Sequence, residues 1–222
     1  MESSKNLLAE TEKLIDHIQS MGNEVQGTLK LGVANNFALY KLPSILGSFV
    51  EAYPKVKILL RTGVGKEVMK LLYDREIHIC IESGGHAWLE RKVLINSEKI
   101  CIISKDKIAV EDLPSLNLIH ISTPSLKNVL TGWWPKRFAT PPLITMETEY
   151  VETCKRMVMN GLGVAFVPQG CLDPHDPLHI IELPTEDGER YVMESWMNYR
   201  ESVMNLSIVH AFIKYISTPS NN

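Results

Sequence analysis

Apolar and polar positions along this chain switch between a two-residue and a 3.6-residue period, the periods of strands and helices. Residues 28–34 (TLKLGVA) alternate at period two and predict a strand. Leu42, Ile45, Leu46, Phe49, Val50 and Tyr53 form a helical stripe that ends before Pro54. Residues 56–61 predict a second strand, and Val64, Val68, Leu71 and Leu72 a second helix. Residues 77–82 are nearly continuous in apolar side chains, as expected of a strand covered on both faces. The first ~85 residues therefore predict βαβαβ, a parallel unit with right-handed crossovers.

The rhythm then repeats. Strands are predicted at 99–104, 117–121, 143–146, 164–167, 178–183 and 191–199. A helix at 126–138 is interrupted by Pro135. A stronger one at 150–160 carries Val151, Cys154, Met157 and Val158 on one face and is ended by Gly161 and Gly163. A last helix spans 202–216. Ahead of both modules, Leu7, Thr11, Leu14, Ile18 and Met21 give 4–21 a coiled-coil spacing, with Leu8 and Ile15 widening the stripe. An isolated helix of that length is marginal in water, so it needs the body of the protein or a second chain. Two α/β modules in succession generally place a ligand in the cleft between them, beyond the carboxyl ends of the strands.

Composition narrows the function classes. With 222 residues and 45% hydrophobic content the chain can fill a core, which excludes a disordered protein. Its net charge of −3 argues against a surface built to grip phosphate backbones. No apolar run approaches the ~20 residues of a membrane span, and the opening MESSKNLLAETEK has no apolar core, so a cytoplasmic protein without a leader is expected. Cys80, Cys101, Cys154 and Cys171 are widely spaced in mostly apolar runs and read as buried free thiols.

Reactive constellations are scarce. No G-x-G-x-x-G or Walker-type phosphate loop is present. His175 and His179 are four apart, but Pro174 and Pro177 exclude the helix that would pair them on a metal. His78 and His120 fall inside strand patterns. Glu147 and Glu149 could do acid–base work or simply mark a helix start. Trp133-Trp134 with Lys136-Arg137 could stack bases, although a packed surface corner suits an isolated cluster better. No catalytic residue, metal ligand, cofactor or enzymatic activity is expected.

Three motifs carry a family resemblance. They are Gly27-Thr-Leu-Lys-Leu-Gly-Val33 followed by Leu42-Pro43 and Tyr53-Pro54; Val68-Met-Lys-Leu-Leu72 leading into the strand 77–81; and Val151-Glu-Thr-Cys-Lys-Arg-Met-Val158 with Gly161-Leu-Gly163-Val-Ala-Phe-Val-Pro168. Together with the element order they resemble the effector-binding domain of LysR-type transcriptional regulators over residues 4–217. Trp133-Trp134, Phe138, the run Glu152–Met157 and Trp196 are most similar to the citrate-responsive catabolite-control subgroup of Gram-positive bacteria. The resemblance implies an α/β fold of two Rossmann-like lobes, of the type-2 periplasmic-binding-protein kind, joined by two crossing strands near 99–104 and 191–199. It implies a linker helix over 1–25, lobe I over 26–98 and 196–222, and lobe II over 99–195. It also implies a small polar effector, a homodimer or tetramer, no membrane, and DNA contact only through an N-terminal winged helix-turn-helix that this chain lacks. A transporter's solute-binding protein with the same fold is the alternative.

Positions at strand ends give the candidate ligand-binding residues. These are Asn35, Asn36 and Phe37 after the first strand, Thr62 and Gly63 after the second, and Glu82 and Ser83 after the third. In lobe II they are Ser122, Thr123, Thr148 and Glu149. Each polar group at a helix start equally fits a plain N-cap; their convergence favours a polar-ligand site. The citrate-responsive pattern implies arginines where this chain has Glu82-Ser83 and Met193-Glu194, so an effector other than citrate is expected.

Overall fold

The computed structural model describes residues 25–186 and 191–218. The helix expected at 4–21 lies outside the described residues. The chain forms two compact units.

The first unit holds 25–82, 86–95 and 196–218. Strand β1 (Gly27–Ala34) pairs in parallel with β2 (Val56–Gly63), from Gly27 opposite Val56 to Ala34 opposite Gly63. On its other side β1 pairs in parallel with β3 (Ile79–Ser83), with Val33 opposite Ile81. The parallel βαβαβ expectation is met. Helices α1 (Asn35–Tyr40), α2 (Leu42–Ala52) and α3 (Gly65–Tyr73) make the crossovers, and α7 (Ser207–Ile216) follows the last strand.

Period-two alternation in β1 decides what packs where. Leu29, Leu31 and Val33 point into a core shared with Leu42, Ile45 and Phe49 of α2 and Val209, Phe212 and Ile216 of α7. Phe49 meets Phe212 edge to face at 5.1 Å between centroids. Full burial of one such ring stabilises by about 2–3 kcal/mol before the edge-to-face term. A separate cluster of Val68, Met69, Leu72, Ile77 and Cys80 packs around α3. Buried Arg200 donates to the carbonyls of Leu72 (2.5 Å) and Ile77 (2.9 Å), tying the end of α3 and the approach to β3 to the segment after the last strand.

The second unit holds 83–85, 96–186 and 191–195. The C-terminal part of β4 (Arg91–Ser104) runs antiparallel to β7 (Ala165–Pro168) and to β8 (His179–Glu182). β5 (Asn117–Ile121) and β6 (Leu143–Thr148) form a parallel pair, and β5 reaches β7 through one bridge, Leu118 to Val164. β4 begins at Arg91 rather than at 99, and both β4 and β9 (Val192–Tyr199) have residues in each unit.

Two sequence expectations change here. The helix expected over 126–138 is instead α4 (Pro124–Asn128), a π-helical turn (Val129–Trp133) and α5 (Trp134–Arg137). Pro135 sits in the first turn of α5, where its missing N–H costs no bond. Trp133 and Trp134 are buried, not a surface corner. Their indole N–H groups donate to the carbonyls of Pro184 (2.5 Å) and Thr140 (2.8 Å), and both rings pack on Phe138 and Phe166. Helix α6 (Val151–Met159) completes the unit.

Candidate functional site

The register of the first unit brings three strand ends to one edge of its sheet. Because β1, β2 and β3 are parallel, Ala34, Gly63 and Glu82 all lie at carboxyl ends. Asn35 and Asn36 open α1 and are partly exposed, whereas Phe37 is buried in the core. Thr62 is exposed. Glu67 folds back over Gly63, its Oε2 accepting the Val64 N–H at 3.1 Å; a Cβ at residue 63 would lie 2.8 Å from that oxygen.

Glu82 is fully buried. Its Oε2 accepts from His86 Nδ1 at 2.6 Å, and its Oε1 has no hydrogen-bond partner among the described residues. Gly65, the first residue of α3, closes on this pair. A Cβ there would sit 2.9 Å from His86 Cε1 and 3.8 Å from Glu82 Oε2. The His86 carbonyl accepts from Lys92 Nζ at 2.9 Å, and that ammonium lies 4.7 Å over the Trp196 ring. Sequence reasoning named Glu82 but missed His86, Lys92 and Gly65 as its neighbours. His86 follows Gly84-Gly85 in a segment without periodicity, so only three-dimensional placement reveals it.

In the second unit the ends of β5 and β6 are tied by Ser122 N–H donating to the Thr148 carbonyl at 3.0 Å. Ser122 Oγ donates to Glu147 Oε1 at 3.3 Å, and His120 Nε2 lies 3.9 Å from the same oxygen. Burial holds the His120 imidazole below its ordinary pKa against the opposing pull of Glu147, so it is neutral at neutral pH. Thr123 precedes α4 without capping it, and its buried Oγ1 has no partner among the described residues. Thr148 Oγ1 accepts the Tyr150 N–H at 3.3 Å at the start of α6, and Glu149 is exposed. Ser83 and Ser195 pair through their hydroxyls at 3.3 Å. The N-cap reading thus fails at Thr123, and Thr148 serves a backbone amide two residues on.

Three buried side-chain oxygens lack partners among the described residues: Glu82 Oε1, Thr123 Oγ1 and Asn198 Oδ1. Two of them belong to residues singled out by position at strand ends. Leaving a buried polar atom unpaired costs about 1–3 kcal/mol, more when it is charged, so such atoms point to a ligand group. No group of three or more His, Cys, Asp or Glu that could hold a metal occurs among the described residues. All four cysteines are buried, and none forms a disulfide among the described residues. No helix of the described residues is long and apolar enough to cross a membrane.

Parallel strands β1, β2 and β3 with their crossover helices, a second α/β unit, and unpaired polar atoms at strand ends define a ligand-binding domain of the type-2 periplasmic-binding-protein kind. The chain belongs to the LysR substrate binding domain family, which matches residues 22–218. It is 37% identical over 214 residues to the HTH-type transcriptional regulator YraN of Bacillus subtilis, covering 96% of this chain and 74% of that protein. It is 30% identical over 216 residues to YkuM of the same organism, with the same coverage. The reduced regulatory domain of OxyR2 from Vibrio vulnificus shares the fold at TM-score 0.72 and 19% identity, over 88% of this chain and 97% of that one. CbnR, a LysR family transcriptional regulator, does so at TM-score 0.71 and 17% identity, over 97% and 77%. The chain is therefore a ligand-sensing regulatory domain of the LysR family, and the transporter reading is not favoured.

Proposed function

We propose that this domain senses a small polar metabolite in the cytoplasm, does no chemistry on it, and acts as a homodimer or tetramer whose DNA contacts are made by a winged helix-turn-helix. The observation that carries this reading is the placement of unpaired buried oxygens of Glu82 and Thr123 at strand ends of a LysR-type fold. The ligand-contacting set is Asn35, Asn36, Phe37, Thr62, Gly63, Glu82, Ser83, Ser122, Thr123, Thr148 and Glu149, with lobe I as 26–98 and 196–222 and lobe II as 99–195. Kinship with the citrate-responsive subgroup is part of the proposal, supported by Trp133, Trp134 and Phe138, which form one aromatic cluster. The effector differs from citrate, because a buried carboxylate at Glu82 repels a tricarboxylate.

A ligand regulates only by binding one conformation better than the other, and it stabilises whatever folded state it binds. A thermal-shift screen of central metabolites and amino acids is the direct test. At about 100 times its Kd a true effector adds about 2.7 kcal/mol of stability. A chain that no metabolite stabilises, or that converts one, overturns the reading.

A further inference from the structure

Glu82 is the least ordinary side chain of the first unit. It is a carboxylate with no exposed surface, and only one of its oxygens is used. His86 is its only ion-pair partner among the described residues, and that side chain is about one-third exposed (32%) while Glu82 is sealed (0%). The nearby ammonium of Lys92 is engaged elsewhere, by the His86 carbonyl and the Trp196 face. Gly65 packs so closely that any Cβ there would press on His86. Gly84 and Gly85 both adopt positive φ (147° and 69°), conformations that glycine takes freely, and they set His86 over the carboxylate.

Burying a carboxylate with one idle oxygen is costly, and retaining one at a strand end makes sense if a donor completes it. A neutral apolar group would leave the oxygen unpaired, and a ligand carboxylate would add repulsion. A protonated nitrogen supplies both the missing hydrogen bond and the opposite charge. We propose that Glu82, covered by His86, is an anionic subsite that takes an ammonium or guanidinium group of the effector at Oε1. The proposal rests on the effector-binding reading above and sharpens it to a class: cationic amines or amino acids. His86, the partly exposed member of the pair, is the side chain that yields to admit the nitrogen.

Matched ligand pairs test this by calorimetry and thermal shift on the intact chain. Putrescine is set against 1,4-butanediol, L-glutamate against glutarate, and L-arginine against pentanoate. The wild type is expected to bind at least one nitrogen-bearing member about tenfold or more tightly than its counterpart, as a charged hydrogen bond implies. Glu82→Gln should reduce that preference to threefold or less. Equal or tighter binding of the nitrogen-free members overturns the Glu82 subsite while leaving effector binding intact. A preference unchanged in Glu82→Gln likewise overturns it. No binding by either set at roughly millimolar concentration overturns the cationic subsite, and the wider thermal-shift screen then decides the effector reading separately. If Glu82→Gln does not fold, the pairwise ratio on the wild type decides alone.

Discussion

The ammonium of Lys155, on helix α6, lies 2.8 Å from Asp176 Oδ2 and 2.8 Å from the carbonyl of Cys171. It ties α6 to the segment after β7, and its side chain is 4% exposed. Glu152 Oε2 also lies 3.6 Å from the ammonium, so losing Asp176 leaves a charge in a poorly solvated place with only the more distant carboxylate. Asp176→Asn should therefore destabilise the domain by about 3 kcal/mol, read by urea unfolding. Lys155→Met, which removes the buried charge itself, should cost less.

The same pair sets an acid limb. Burial pushes the Asp176 carboxyl up, but the hydrogen bonds from Lys155 and the Asp173 N–H, with the charges of Lys155 and Arg156, outweigh it and hold the group below its ordinary value. A depressed carboxyl gives stability that is complete above its unfolded pKa of about 4 and is lost as pH falls through the folded value. Melting temperature below about pH 4 should drop more steeply in the wild type than in Asp176→Asn. Parallel curves would contradict the assignment.

Gly161 and Gly163 end the same motif but do different work. A Cβ at Gly163 would stand 2.4 Å from the Asn117 carbonyl oxygen, which is backbone and accepts the Val164 N–H that joins β5 to β7. A Cβ at Gly161 meets only the flexible Lys105 side chain, at 3.4 Å. Both have positive φ (77° and 156°), so either alanine is strained. Gly163→Ala should cost more than 2 kcal/mol, roughly, and Gly161→Ala about 1 kcal/mol, by denaturant unfolding. Equal effects would show that φ alone decides.

Periodicity made the first unit legible because β1 alternates cleanly and the helices of that unit each bury one stripe. It failed at 126–138, where a π-helical turn breaks the 3.6 period and turns both tryptophans inward. The early start of β4 was hidden as well, since residues 91–99 are mostly polar or half-buried and carry no strong alternation. Strand-end logic pointed to Glu82 and Thr123, because parallel topology fixes which strand ends lie together within each unit. It could not find His86 or Lys92, which reach Glu82 and Trp196 from a segment with no repeating pattern.

The cysteines should be chemically quiet. Burial pushes the Cys154 thiol up to about 12, and raises Cys80 further with help from the charge of Glu82. The thiolate is the reactive form, and little of it exists at pH 8 for either group. Ellman's reagent should modify the native protein only slowly, and all four thiols at once in urea. Rapid modification of a full equivalent of Cys154 in the native state would contradict the burial.

Two edge strands carry the case for self-association. β2 ends the sheet of the first unit with Leu59 and Leu60 exposed, and β6 has one paired side, to β5, with Leu143 and Ile144 exposed. Open edges bearing apolar side chains pair or become covered unless charges block them. Sedimentation velocity at micromolar concentration should give twice the 25.1 kDa chain mass. Leu60→Lys or Ile144→Lys should shift the chain toward monomer, with melting of the monomer changed by no more than about 0.5 kcal/mol, since both sites are on the surface. Wild-type sedimentation at 25.1 kDa, or no effect of either lysine, would show that these edges are not the interface.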